Sequence, residues 1–196
     1  MQEYAKNQKP RMLLHSCCGP CSSTVILRLK ENFDLTVLYY NPNIFPEEEY
    51  LHRKKVQLDL IKKINKEYGE DVKVLDAEYD PETYEKFVCG LENEKEGGAR
   101  CEKCFELRLS KTANLAKENG FDIFATTLTV SPHKNAPLIN AIGQKIAEEV
   151  GIDYLVSDFK KQDGYKTSIE LSKKYNLYRQ NYCGCKYSMW FLKRPE

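Results

Sequence analysis

The stretch Arg11-Met12-Leu13-Leu14-His15-Ser16-Cys17-Cys18-Gly19-Pro20-Cys21 runs from an apolar core directly into three cysteines within five residues. A short apolar run bounded by turn residues predicts a buried strand. Gly19-Pro20 then supplies a turn, and Pro20 suits the first position of a helix, where its missing N–H costs nothing. That helix would turn Val25, Ile26 and Leu29 inward. The unit is strand, cysteine-bearing turn, helix.

Outward from this unit the same alternation continues. Leu35-Thr36-Val37-Leu38-Tyr39-Tyr40 predicts a second strand, stopped by Asn41-Pro42-Asn43. A long helix follows from Pro46, with Leu51, Leu58, Ile61 and Tyr68 on one face and Gly69 near its end. Val72-Lys73-Val74-Leu75 is a third strand. Asp80-Pro81 reads as a cap and first-turn proline for a helix running towards Glu92. After the polar loop from Glu94 to Gly98, Arg100 to Asn119 is helical, with Phe105, Leu109, Ala113 and Ala116 at helical spacing. Phe121 to Thr126 is the fourth strand. Asn135 caps a helix bearing Ile139, Ile142, Ile146 and Val150, closed by Gly151. Tyr154-Leu155-Val156 is the fifth strand, a last helix covers about 166–175, and a tail carries Cys183 and Cys185.

Strands alternating with helices imply an α/β fold: a doubly wound, mostly parallel five-stranded sheet, Rossmann-like in its layering and covered on both faces. Right-handed crossovers put every strand-to-helix loop at one edge. If the chain reverses direction after the third strand, strands one and four become neighbours. Loops 15–21 and 126–134 then flank the ligand crevice.

The 196 residues suit a single domain, 1–196, with no linker to divide them. A net charge of +1 gives no global basic field for nucleic acid. Local basic runs remain at Arg53-Lys54-Lys55, Lys160-Lys161, Lys173-Lys174 with Arg179, and Lys193-Arg194, each first read as a solvated face or tail. No apolar run approaches the ~18 residues of a membrane span. Met1 to Lys6 lacks a signal-peptide core, so a cytoplasmic protein is expected. In a reducing compartment, clustered thiols hold metal or do redox chemistry more often than they form structural disulfides.

Seven of the eight cysteines fall into three tight groups: Cys17, Cys18 and Cys21; Cys101 and Cys104; Cys183 and Cys185. Cys101-x-x-Cys104 lies at a predicted helix start, where residues three apart share a face and the helix dipole favours thiolates. Cys17 and Cys18, adjacent in a turn, can reach the same centre. Two plus two gives the four thiolates of a [4Fe-4S] cluster. The plainer reading is a structural zinc cage, although zinc commonly uses matched C-x-x-C hairpins. Cys183-Gly184-Cys185 is left to form a small, easily reduced disulfide or to bind a second metal. Cys21 belongs either to the first group or to a helix-facing core position. Cys89 is expected to be buried packing.

Other residues map to the same edge. His15 reads as a satisfied hydrogen-bonding core residue. Thr126-Thr127-Leu128 and Ser131-Pro132-His133-Lys134 offer hydroxyls and a cation for a phosphate or an oxygen-bearing substrate, or simply a turn with a helix cap. Tyr39 to Asn43 offers rings and amides for a base or ring, or plain packing. Tyr178-Arg179-Gln180-Asn181-Tyr182 joins them if the tail folds back.

His15-Ser16-Cys17-Cys18-Gly19-Pro20-Cys21-Ser22, Arg100-Cys101-Glu102-Lys103-Cys104, Thr126-Thr127-Leu128 with Ser131-Pro132, and Gln180-Asn181-Tyr182-Cys183-Gly184-Cys185 together resemble the QueH family of cobalamin-independent epoxyqueuosine reductases. The four motifs occur in order, the resemblance spans Leu13 to about Ser188, and Cys89 stands outside it. The resemblance implies an adenine-nucleotide-hydrolase-like variant of the doubly wound sheet. It implies two-electron removal of the epoxide oxygen of epoxyqueuosine at the tRNA wobble position, giving queuosine. Cys17, Cys18, Cys101 and Cys104 would hold the cluster. Cys183 and Cys185 would be a redox-active pair or ligands to a second mononuclear metal, iron or zinc. Tyr39, Asn41, Thr127, Ser131, Lys134, Arg179, Gln180 and Tyr182 are the candidate substrate contacts, and His133 or Lys134 the candidate proton donors. The partners would be the modified tRNA and an electron donor.

Two rivals compete. Adenylyl-sulfate reductases and tRNA thiolases combine such a sheet with paired cysteines, but use a Ser-Gly-Gly-like phosphate loop where this chain has Cys17-Cys18-Gly19-Pro20. A zinc-stabilised RNA-binding module without catalysis is the other.

Overall fold

The computed structural model describes residues 9–192; the Met1 to Lys6 segment and the Lys193-Arg194 pair lie outside them. Five parallel strands, β1 (Arg11–His15), β2 (Asp34–Tyr39), β3 (Lys73–Asp76), β4 (Ile123–Thr126) and β5 (Asp153–Tyr154), form one sheet in the order β3-β2-β1-β4-β5. The direction reversal after β3 therefore occurs as expected. It seats β1 in the middle, with His15 opposite Leu38 on one side and Thr126 on the other.

The helices are α1 (Gly19–Leu29), α2 (Glu47–Tyr68), α3 (Pro81–Phe87), α4 (Ala99–Glu118), α5 (Ala136–Val150), α6 (Gly164–Lys174) and α7 (Lys186–Leu192), with a 3-10 turn at Thr127–Val130. Successive side chains of a strand point to opposite faces, and β1 feeds two cores accordingly. Met12 and Leu14 pack with Val25, Ile26 and Leu29 of α1 and Leu60, Ile61 and Ile64 of α2. Leu13, with Leu38 and Phe124, meets Phe105, Leu109 and Ala113 of α4 and Ile139 and Ile146 of α5. A parallel sheet covered on both faces needs this continuous apolar strand rather than an alternating one. The expected caps are in place: the Thr83 amide donates to Asp80, the Leu138 amide to Asn135, and Gly151 closes α5 in the left-handed conformation, φ 71°.

Several elements depart from the sequence reading. The buried face of α2 is Tyr50, Arg53, Gln57, Leu60, Ile61 and Ile64, whereas Leu51 and Tyr68 are exposed. Two of its inward positions are polar, which hides the apolar stripe. Arg53 is thus buried and paired with Glu49, not solvated. Helix α3 ends at Phe87 rather than near Glu92, so Cys89 falls in the following turn, exposed rather than packed. The fifth strand is only Asp153–Tyr154, and Val156 is exposed. The tail contains α7, which the sequence pattern did not announce.

Because Leu14 is fully buried beneath α1 and α2, Leu14→Ala should destabilise the fold by about 2–5 kcal/mol in denaturant unfolding.

Candidate metal centre and substrate cleft

The loops after β1, β2 and β4 meet at one edge of the sheet, and the cysteine groups gather there. His15 closes β1. Its buried ring lies 2.9 Å from the Thr126 hydroxyl through Nδ1 and 3.1 Å from the Tyr40 carbonyl through Nε2. Burial, and then the neighbouring Arg108 charge, lower its pKa to about 3, so the ring is neutral and acts as a bracket between strands. The hydrogen-bonding core role expected for it is the one observed.

Cys17, Cys18 and Cys21 place their sulfurs within 4.8 Å of one another, the one such group of three potential ligand residues among the described residues. Cys21 faces its two neighbours because α1 begins at Gly19, one residue before the proline expected to open it, so that the first helical turn brings position 21 back over the loop. The Cys17 and Cys18 sulfurs are 3.8 Å apart, and the Thr127 hydroxyl donates to the Cys17 sulfur at 3.4 Å. The Cys18 and Cys21 thiols, directed at Cys17, hold its pKa well below the ordinary cysteine value. Hydrogen bonding to Cys17 pushes Cys18 up to about 11, and hydrogen bonding to Cys17 and Cys18 raises Cys21 well above the ordinary cysteine value. All eight cysteines are free thiols.

Cys101 and Cys104 occupy the first turns of α4, one face apart by a helical turn. The Gly97 amide donates to the Cys101 sulfur at 3.2 Å. Burial raises both thiols, Cys104 to about 12, and raises Cys183 as well. The tail brings Cys183 and Cys185 back to this edge. The Phe45 amide bonds the Gly184 carbonyl at 2.9 Å, and Arg53 donates to the Cys183 carbonyl at 3.2 Å. Gly184 has φ 118°, and a Cβ there would lie 3.0 Å from both Arg53 Nη1 and Ile44 Cγ1. Only glycine suits that backbone and that space.

Two cavities share this edge. A cleft of about 660 Å³ is lined by Cys17, Cys18, Cys21 and Cys183, among others. A pocket of about 30 Å³ beside it is lined by Cys101, Cys104, Cys183 and Cys185. Cys183, Lys134, His133, Glu96 and Asn43 line both and form the wall between them.

The wall is charged in an unusual way. Arg108, 2 % exposed, approaches His15 Nε2 at 3.3 Å and the Cys104 sulfur at 3.8 Å, and donates to Asn41 Oδ1 at 2.6 Å. No carboxylate among the described residues pairs with it. Burial alone would lower the Lys134 pKa, but the charges of Cys183, Cys17 and Cys21 outweigh burial and raise it. A buried cation needs counter-charge, and the counter-charge available to Arg108 is sulfur. Ligation deprotonates thiols and concentrates negative charge on the donor set. This donor set, with two cations facing it, fits a thiolate-bound metal group.

The candidate substrate residues divide. Asn41, Ser131, Lys134, Arg179, Gln180 and Tyr182 line the cleft, with His133 at its rim. Tyr39 does not: it is fully buried against Tyr50, ring centroids 5.4 Å apart. Thr127 is buried too, and spends its hydroxyl on Cys17. Arg108 was missed by sequence reasoning, as were Glu96, Tyr165 and Ser168 of the cleft lining. The Arg108 signal was present: it lies one turn beyond Cys104 on the apolar face that carries Phe105 and Leu109.

A family model described as epoxyqueuosine reductase QueH matches residues 12–190. The chain belongs to the QueH family. Relatives named epoxyqueuosine reductase QueH include one from Staphylococcus epidermidis, 46 % identical over 91 % of this chain and 76 % of its own length. Another, from Streptococcus pyogenes serotype M1, is 45 % identical over 96 % of this chain and 76 % of its own. A third, from Thermotoga maritima, is 36 % identical over 94 % and 92 %. QueH proteins are oxidoreductases by that name, and this chain is an enzyme of that class. Among solved structures, a predicted subunit of tRNA methyltransferase from Methanocaldococcus jannaschii has TM-score 0.50 at 19 % identity, covering 83 % of this chain and 76 % of that one. The U34-tRNA thiolase NcsA from Methanococcus maripaludis, solved with its [4Fe-4S] cluster, also has TM-score 0.50, at 16 % identity over 93 % and 62 %. These two share the fold. No helix among the described residues is long and apolar enough to cross a membrane.

Two outcomes are expected at this site. Gly184→Ala should cost about 1–3 kcal/mol in unfolding experiments through backbone strain and lower the metal bound per chain. Arg108→Gln, which removes the cation but keeps hydrogen-bonding capacity, should lower bound metal in elemental analysis while the fold, followed by far-UV circular dichroism, persists.

Proposed function

We propose that this chain reduces epoxyqueuosine at the wobble position of tRNA to queuosine, removing the epoxide oxygen as water at the expense of two electrons and two protons. The observation that carries the reading is the gathering of three cysteine groups around two adjoining cavities, beside a buried Arg108 that has sulfur and no carboxylate within reach. Family membership favours it over a nucleotide-dependent thiolase-like enzyme or a zinc-stabilised binding module.

In this reading Cys17, Cys18, Cys101 and Cys104 would hold a [4Fe-4S] cluster. Cys183 and Cys185, next to them, are a redox-active pair or the ligands of a second mononuclear metal, iron or zinc. Cys21, packed against Cys17 and Cys18, is a further thiol on the cleft side. A bound cluster supplies electrons, commonly one at a time, so a second redox group beside it avoids stranding a radical on the substrate.

The chain's own side chains do the rest. The cleft, at about 660 Å³, lies within the size range of small-ligand sites and accommodates a nucleobase with its appended ring. Arg179, Gln180 and Tyr182 line it from the tail, and Asn41 and Ser131 from the opposite loops. Lys134, held protonated by the neighbouring sulfur charge, places a proton where the epoxide oxygen would leave; His133 is the alternative donor. Arg108 balances the thiolates and also lines the cleft. The Thr127 hydroxyl orients Cys17. The tRNA would bind through phosphate contacts, so its affinity should fall with added salt. The reducing equivalents come from an electron-donor protein or small reductant.

The test is anaerobic purification, iron and sulfide analysis, and mass analysis of nucleosides from epoxyqueuosine-containing tRNA after reaction. Queuosine should appear with the wild-type chain. Cys183→Ser and Cys185→Ser should each abolish turnover while the visible absorbance of the cluster persists; loss of that absorbance would refute the assignment of these two cysteines.

A further inference from the structure

Most of the buried polar side chains at this edge are already spent. Asn41 gives both ends of its amide to the protein, donating to the Ser16 carbonyl at 2.9 Å and accepting from Arg108. Asn43, two residues on, differs. It is 3 % exposed, yet its buried amide oxygen has no partner. Of the buried side chains with an unpartnered polar atom, Asn43 lines both the cleft and the adjoining pocket. A buried amide oxygen without a donor is an uncommon arrangement that calls for a ligand or ordered water.

The loop that carries Asn43 is held on both sides. The Ile44 amide bonds back to the Asn41 carbonyl at 3.1 Å, closing a turn with Pro42 inside it. The Phe45 amide is tied to Gly184, and Tyr79 donates to the Ile44 carbonyl at 2.7 Å. The amide is therefore presented by a rigid frame, one donor and one acceptor side by side, on the wall shared with Cys183 and Lys134.

We infer that Asn43 is a specificity-determining residue, its amide reading a neighbouring pair of hydroxyl groups on the ring of the substrate and thereby seating that ring against the Cys183 wall. An amide pairs with two adjacent hydroxyls by accepting from one and donating to the other. The inference rests on the functional reading above and adds to it the residue that selects the ring. Discrimination built on a buried polar atom is strong, because a ligand lacking the hydroxyls leaves the amide oxygen unpartnered.

The experiment compares anticodon stem–loops bearing either the product base or the same base without its cyclopentene diol, titrated anaerobically against the wild-type protein and Asn43→Ala. Wild type should prefer the diol-bearing loop by ~10-fold or more, and Asn43→Ala should lose that preference. Thermal unfolding and iron content should be unchanged in the variant, or its unfolding temperature raised, since an unsatisfied amide has been removed. If Asn43→Ala does not fold, Asn43→Ser serves the same comparison. Retained discrimination in the variant, or loss of bound iron with it, overturns the inference and leaves the reductase reading intact. Failure of the wild-type chain to bind the diol-bearing loop or to reduce the epoxide overturns the reading beneath it.

Discussion

A guanidinium buried without a carboxylate is the constraint around which this molecule is arranged. Arg108 sits at the carboxyl edge of the central strand, and its neighbours are a neutral histidine, an amide oxygen and a cysteine sulfur. Leaving such a charge uncompensated in a protein interior costs several kcal/mol. The arrangement is tolerable if sulfur there is anionic, and it is anionic when it holds metal. The position of Arg108 depends on α4 packing over β1 and β4, which depends in turn on the reversal of strand order between β3 and β4. The fold and the chemistry meet in that one side chain.

The second organising element is the tail. Cys183 and Cys185 belong to no strand and owe their position to a handful of backbone contacts: Phe45 to Gly184, Arg53 to Cys183, and the Ser188 amide, which donates to the Cys185 sulfur at the start of α7. Arg53 links this tail to α2 and also stacks over Tyr182, 4.9 Å from its ring centre. A helix read as carrying a solvated basic run therefore has one member of that run turned inward as a brace.

Much of the fold was legible in the residues. Apolar strands, capped helices and the Cys17 to Pro20 turn are local signals, and local chemistry set them. What was illegible depended on partners distant in sequence. Arg53 and Gln57 look like surface residues until Glu49, Ser16 and Ser22 are placed beside them, which is why the inner face of α2 was read one position off. Cys21 could not be assigned from spacing, because the same position on α1 serves core or cluster until the geometry of the loop is known. Tyr39 was read as a cleft residue from its place at a strand end, but the tertiary packing of Tyr50 and Ile44 encloses it. Arg108 offered a cue in its spacing from Cys104, though a lone charge in a charged helix draws little notice.

The late position of Cys183 and Cys185 in the chain has a consequence for assembly. Every strand of the sheet, and the cysteines of the first two groups, are synthesised before these two emerge from the ribosome. The α/β layers can therefore collapse while the partition between the two cavities is still missing. Arrival of the last segment then completes the pocket lined by Cys101, Cys104, Cys183 and Cys185, so the order of the residues makes that wall the last part of the site to form.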